Sequence, residues 1–371
     1  MKYPPFCPHS DCHNYQSTTG TWYVKNGTYQ SFRTGKVQRY KCLACGAGFS
    51  TETFSIDYYA KKKVSYKIIT EHLVTCSGIR DLSRILKVSC GTITNRIARL
   101  ARQSMAVSAN LCSSIKLAED LVADGFESFV KSQYMPNNIN ILTGKDSQFW
   151  FVSDYAHLSR KGRMTKYQKK HNEDIKKTLN VNRVTIYKSF QNIVRTALDL
   201  QSGSGKEMVK LYTDEHPQYK RVMELTSDYE KKVLKQVCIN SKKVRNLSNP
   251  LFSVNYIDRE IRKDNSDHVR ETVQFARNTA NCMDRLAVYR MYHNFIKPYR
   301  INKTSYFGET HGSRAGISKE IIRKELKTMY TRRRFLHKHW MLNIADRKLW
   351  CRVISTPFSR FADYLPGYAL A

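Results

Sequence analysis

Apolar positions along the chain change their period from segment to segment. In residues 65–105 they recur every three or four positions: Ile68, Ile69 and Leu73, then Ile79, Leu82, Ile85 and Leu86, then Ile93, Ile97 and Leu100. That spacing lines one face of an α-helix, so three helices are predicted. Lys87, Val88 and Ser89 form the turn before the third, which is predicted over 92–103. From about Leu117 the pattern becomes β-branched and aromatic, and 121–130, 138–143 and 149–155 read as consecutive antiparallel strands. A long basic helical region at 160–200 follows, then a strand at 209–213, a helix at 217–225, a strand at 233–240 and a final helical stretch at 254–297. Upstream of all these, two strand-like pieces, 20–24 and 38–41, lie between two pairs of cysteines.

Charge narrows the classes of partner. Lysine and arginine number 63 against 31 acids in 371 residues, a formal charge of +32. So large an excess self-repels unless a polyanion offsets it, which makes nucleic acid the expected partner. A ribosomal or DNA-coating protein would share the charge but would not need organised motifs. No secretory leader pattern opens the chain and no 18-residue apolar run occurs, so neither export nor membrane insertion is expected. In an intracellular, reducing setting, ten cysteines point to metal ligands or buried thiols and away from disulfides.

Four of those cysteines are spaced for a metal. Cys7 and Cys12 precede the strand-like pieces, and Cys42 and Cys45 follow them on a tight turn. Two such knuckles bring four thiolates to one structural zinc ion (Zn²⁺), and a segment this short lacks the apolar mass to fold without one. All-cysteine ligation is favoured, with His9 or His13 as possible substitutes in the looser first pair. The other six cysteines have no such pairing and read as buried thiols.

The three predicted helices have the layout of a helix-turn-helix. Thr94, Asn95, Arg96, Arg99 and Arg102 fall on the expected outer face of the third, where polar and basic side chains could reach base edges and phosphates of double-stranded DNA. A helical linker with a solvated basic face is the plainer alternative.

Three strands, a helix, a strand, a helix, a strand and a helix is the order of a ribonuclease-H-like fold. The expected class is therefore α/β: a mixed-sheet core preceded by a small zinc ribbon and a three-helix DNA-binding domain. The expected divisions are 1–60 for the ribbon, 61–112 for the helix-turn-helix, 113–310 for the core and 311–371 for a basic, aromatic tail. Within the core, Asp124 falls in the first strand, Asp214 at the end of the fourth and Asp258 in the opening turns of the final helix. Carboxylates so placed can converge on a pair of magnesium or manganese ions (Mg²⁺ or Mn²⁺) that activate the attacking oxygen and stabilise the leaving oxygen of a phosphodiester displacement.

The chain resembles bacterial insertion-sequence transposases of the DDE type, most closely those like the insertion-sequence-one family. The resemblance rests on Cys42-x-x-Cys45 after Arg39-Tyr40, the helix-turn-helix, the run from Asp124 to Val130, Thr213-Asp214-Glu215-His216-x-x-Tyr219 and Asn255-Tyr256-Ile257-Asp258-Arg259. Arg270-Glu271-Thr272 and His293-Asn294-Phe295 extend it, so that it covers most of residues 5–318. It implies an enzyme that binds the terminal inverted repeats of its own element, nicks the 3′ ends and joins them to target DNA. It also implies a dimer, since two ends must be held together, and a place at the nucleoid in the cytoplasm of a bacterium or archaeon.

Asp124 and Asp214 carry over onto the family's first two acids. The third departs from the pattern: the family has Ile-Glu-Arg where this chain has Ile257-Asp258-Arg259, while ungapped counting back from Arg270 puts Asn255 in the position and Glu260 stands two residues beyond. Asp258 is the expected ligand, and Asp154, ending the third strand, is expected to be structural. A transposase-derived regulator without catalysis, or a nuclease without strand transfer, would share much of this sequence.

Smaller features have plain readings. Gly203-Ser204-Gly205-Lys206 lacks the first glycine and the Ser or Thr of a phosphate-binding loop and reads as a connector. His216 and His268 could shuttle protons or line a helix. In the tail, Arg332-Arg333-Arg334 interleaved with Phe335, Trp340 and Trp350 fits either DNA contact or packing on the core.

Overall fold

A computed structural model of the chain describes residues 4–113, 115–179, 184–240, 242–270, 272–300, 308–336, 341–354, 356 and 365. It is a mixed α/β architecture with two sheets. The first is antiparallel and three-stranded: β1 (Tyr23–Ser31), β2 (Gly35–Cys42) and β3 (Gly48–Ser50). The two strand-like pieces of the sequence thus extend into a long hairpin, whose tip carries the fully exposed Phe32. Trp22, Tyr40, Phe49 and Phe54 form a small aromatic core around the cysteines.

Helices α1 (Tyr66–Leu73), α2 (Ile79–Ile85) and α3 (Cys90–Cys112) follow. Ser65 caps α1 by accepting the Ile68 N–H, and Ser89 caps α3 by accepting that of Thr92. Lys87, between α2 and α3, has φ +52°, a left-handed backbone that bends the chain sharply before Ser89. The third helix runs well past residue 103 because Met105, Ala106, Val107 and Leu111 continue its apolar side into the main core.

The second sheet holds β4 (Leu121–Phe129), β5 (Pro136–Gly144), β6 (Trp150–His157), β7 (Val209–Thr213) and β8 (Leu234–Cys238), in the order β6-β5-β4-β7-β8. The first three strands are antiparallel neighbours, whereas β7 runs parallel to both β4 and β8. Side chains alternate between the faces of a strand. Leu121 and Ala123 accordingly meet α5 (Val184–Ser202) and α6 (Pro217–Glu224) on one face, while Val122 and Phe126 meet the opposite core. Helix α4 (Lys166–Leu179) precedes α5, so the expected 160–200 region comprises two helices whose junction at 180–183 lies outside the described residues.

The expected single helix at 254–297 is two: α8 (Phe252–Asp264) and α9 (Thr279–Phe295). Asn265, Ser266 and Asp267 break it, since short polar side chains compete with helical hydrogen bonds, and Asn278 caps the restart by accepting the Asn281 N–H. A short helix, α7 (Asp228–Val233), also precedes β8, with Ser227 and Glu230 forming a capping box. Helix α9 is buried on nearly all sides and packs against α3.

One apolar cluster joins α1, α3, β4, β5, α8 and α9 with α11 (Lys319–Lys327) and α12 (Ile344–Trp350), which follow the short α10 (His311–Arg314). In the tail, Trp350 is buried, and Phe335 packs edge-on against Phe6 of the amino-terminal unit at 5.3 Å. Both therefore take the packing role, while Trp340 lies outside the described residues. Among the described residues, no helix is long and apolar enough to cross a membrane.

Candidate functional site

Strand parity places the first acid. Asp124 has the parity of Val122 and Phe126, so it leaves β4 on the face covered by α8. The parallel register pairs Leu121 with Leu211 and Val122 with Tyr212, and the same offset carried to the strand ends sets Asp214 beside Asp124. Helix α8 turns Val254, Ile257 and Ile261 into the core, and Ser253 Oγ lies 2.8 Å from Thr143 Oγ1 of β5. That orientation brings Asn255 and Asp258, one turn apart, to the same place. The three acids line one cavity of about 520 Å³ together with Gly125, Glu127, Asn138, Asn255, His216, Tyr219 and four arginines, Arg245, Arg259, Arg262 and Arg270.

The acids are electrostatically linked. Burial, then the charge of Asp214, raises the Asp124 carboxyl to about 7, against the Gly125 N–H that donates to its Oδ1 at 2.7 Å. Burial, then the charge of Asp124, raises Asp258 to about 8. The Tyr219 hydroxyl is driven well above its ordinary value by burial and then by Asp124, Asp214 and Asp258. It donates to Asn140 Oδ1 at 2.6 Å, which anchors α6 to β5. Asp214 Oδ1 accepts the His216 N–H at 3.0 Å. His216, lowered by burial, accepts the Gln218 N–H on Nδ1 and begins α6.

Asp258 Oδ1 is shut off from solvent without a hydrogen-bond partner. A buried carboxylate oxygen with no donor, facing two further acids, fits a hard divalent cation, because a cation removes both the repulsion and the lost solvation. The carboxylates of Asp124, Asp214 and Asp258 do not all come within 4.8 Å of one another, so the cavity is wider than a single-ion cage. Gly125 matters to its shape: a Cβ there would run into the Asn138 side chain, which folds over the glycine along the cavity wall.

The other candidates for the third acid fall apart by helix face. Glu260 is buried away from the cavity and is held by Lys297 and by Lys263 at 3.3 Å, which outweigh burial and lower its carboxyl. Asn255 lines the cavity beside Asp258. Asp154 lies outside the cavity's lining, where it accepts from Asn192 at 2.6 Å and pairs with Lys348 at 3.1 Å.

The expected DNA-facing residues divide. Asn95 is exposed and Thr94 half-buried at the start of α3. Arg96, Arg99 and Arg102 are buried, contrary to the expected outer face. Arg96 donates to Lys62 O at 2.7 Å, Arg99 to Tyr58 O at 2.5 Å and Arg102 to Trp350 O at 3.1 and 3.2 Å. The segments before and after the three helices cover that face, and their carbonyls accept from the guanidinium groups.

Cys7, Cys12, Cys42 and Cys45 come together, with all four sulfurs within 4.8 Å. Cys7–Cys45 and Cys12–Cys42 measure 3.6 and 3.8 Å, close to the ~3.8 Å edge of a tetrahedron with ~2.3 Å metal–sulfur bonds. The group can hold a zinc ion, and His9 and His13 are exposed outside it. Burial pushes the Cys42 thiol up, but the Cys45 and Ala44 backbone N–H groups overcome it and leave it lowered to about 7.

Sequence reading missed Arg245, Arg262 and Asn138. Arg262 had a signal, standing four residues after Asp258 on the same helix face, whereas Arg245 lies in a loop with none. Comparison with protein-family models and with curated proteins finds no match for this chain.

Proposed function

We propose that the chain is a DNA transposase of the DDE type, which binds the terminal repeats of its element and catalyses strand cleavage and transfer. The observation that carries this reading is the meeting of Asp124, Asp214 and Asp258 in one cavity rimmed by four arginines. The sheet order, with three antiparallel strands followed by two parallel ones, is the order a ribonuclease-H-like core requires. The four-cysteine group on its hairpin suits a zinc ribbon, and α2 and α3 with their tight turn suit a helix-turn-helix.

Asp124, Asp214 and Asp258 would hold Mg²⁺ or Mn²⁺, which when bound supplies activation of the attacking oxygen and charge neutralisation at the leaving one. The protein's own groups position the phosphate. Arg245, Arg259, Arg262 and Arg270 offset its charge, and Arg262 is itself fixed by donating to Glu127 O at 2.9 Å and by lying over the Phe126 ring at 4.6 Å. His216 keeps Nδ1 as an acceptor, which leaves Nε2 as the donor of the neutral ring. The net charge of +32 suits a long contact with DNA beyond the cavity.

The test incubates the purified chain with Mg²⁺ or Mn²⁺ and labelled duplexes taken from both flanks of its gene. Nicking at a discrete 3′ end and joining to a second duplex are expected, with both lost in Asp124→Ala and Asp214→Ala. Specific duplex binding with no cleavage under either metal would instead support a non-catalytic regulator.

A further inference from the structure

We propose that Asp267, His268 and Cys282 form a second metal site, distinct from the four cysteines and from the acid cavity, which takes a borderline divalent cation of the zinc class. One ligand atom from each lies within 4.8 Å of the others. The residues are 1, 2 and 0% exposed, so the convergence is not a chance meeting of surface groups. His268 Nε2 stands 3.6 Å from Cys282 Sγ and 3.9 Å from Asp267 Oδ2. A nitrogen and a sulfur sharing a tetrahedral ion at ~2.05 and ~2.3 Å are ~3.5 Å apart, so the first separation already suits an ion and the second needs a small side-chain rotation.

The surroundings orient these ligands. His268 Nδ1 is 2.9 Å from Ser128 Oγ, and a ring that donates there turns the Nε2 lone pair toward the sulfur and the carboxylate. Neither Asp267 oxygen has a hydrogen bond of good geometry, although the carboxylate is almost completely buried. Arg285 Nη2 meets Oδ1 at 3.1 Å as an ion pair, leaving Oδ2 for the cluster, where the Cys282 thiol is the donor within reach. Binding replaces that thiol proton: the S–H bond breaks, the sulfur–metal bond forms and the proton passes to water. One carboxylate and one thiolate then offset the divalent charge, and Arg285, which keeps its oxygen, leaves the cluster with one net positive charge.

Mixed oxygen, nitrogen and sulfur ligands select zinc-like ions over magnesium. Asp267 and His268 also form part of the wall of a cavity of about 600 Å³, which gives the ion a route in and a water a place as fourth ligand. Once bound, the ion would tie α9 through Cys282 to the segment that leaves α8. That segment carries Arg270 to the acid cavity.

The proposal does not depend on the DNA reading, and its test reads metal content. The full chain is stripped, reconstituted without oxygen in Co²⁺ and titrated in the thiolate-to-cobalt charge-transfer band, to which the all-carboxylate cavity does not contribute. Two equivalents are expected. Cys282→Ser and His268→Ala should each retain one, belonging to the four cysteines, while Cys42→Ser should retain the other. Asp267→Asn, which preserves side-chain size, supplies the same count should His268→Ala fail to fold. A single equivalent in the unaltered chain, or two in folded His268→Ala or Asp267→Asn, overturns the site.

Discussion

Asp258 and Asp124 face the same cavity from a helix and a strand, and burial, then the charge of Asp124, raises the Asp258 carboxyl to about 8. Folding alone does not favour such an arrangement. An acid raised in the fold keeps a proton that the unfolded chain releases near its ordinary value of 3.8. Stability contributed by this pair should therefore be unaffected below about pH 4, fall as pH rises and reach its full loss above about pH 8. In urea melts of the cation-free chain, Asp258→Asn should be more stable than the unaltered chain at pH 8 and nearly equal to it at pH 4. A less stable Asp258→Asn at pH 8 would contradict the electrostatic account.

Gly125 and Asn138 should be coupled. Gly125→Ala places a methyl against the Asn138 side chain and should cost about 1–3 kcal/mol of stability. Asn138→Ala in the same chain should recover much of that loss, because it removes the group struck. Denaturant melts of the two single variants and the double variant measure the coupling, and strict additivity would rule the contact out.

Arg102 should behave as a structural residue. Arg102→Ala removes two buried charge-assisted hydrogen bonds to the Trp350 carbonyl and should cost about 2 kcal/mol or more in thermal or urea melts. Asn95→Ala should fold normally and weaken duplex binding, read by fluorescence anisotropy. A stable Arg102→Ala with selectively impaired DNA binding would return the arginines to the DNA face.

The two halves of the candidate site were unequally legible in sequence. Element order located Asp124 and Asp214, because each strand is marked by its own local composition, whereas the parallel pairing of β4 with β7 that sets the two acids side by side is long-range and shows only in the structure. Helix periodicity also exposed the ambiguity at 255–260, but only packing resolved it: Lys297, 37 residues beyond Glu260, takes that acid to the other side of α8. The break at 265–278 was signalled by Asn265, Ser266 and Asp267, yet the apolar spacing of α9 masked it. The arginines of α3 misled for a related reason. Helical spacing gives the face of a side chain but not what comes to cover it, and here the covering segments include residue 350.

Removing zinc should undo the amino-terminal unit. Its core is a few aromatic rings around the sulfurs, so Cys42→Ala should eliminate one equivalent of zinc and that unit's share of the folded signal, and a strong chelator should abolish the same signal. Elemental analysis beside near-ultraviolet circular dichroism checks this. A zinc-free chain with unchanged Trp22 and Tyr40 signals would show that the aromatic core holds without metal.

The central claim is that Asp258, and not its helix neighbours, completes a cation-dependent cleavage centre with Asp124 and Asp214. The most direct measurement compares Asp258→Ala and Glu260→Gln for Mn²⁺-dependent cleavage of the gene-flanking duplex. Asp258→Ala should lose at least about 100-fold in rate, a deficit of ~2.7 kcal/mol in the barrier, while folded Glu260→Gln should stay within a few-fold of the unaltered chain. Cleavage by Asp258→Ala at the unaltered rate would contradict the account.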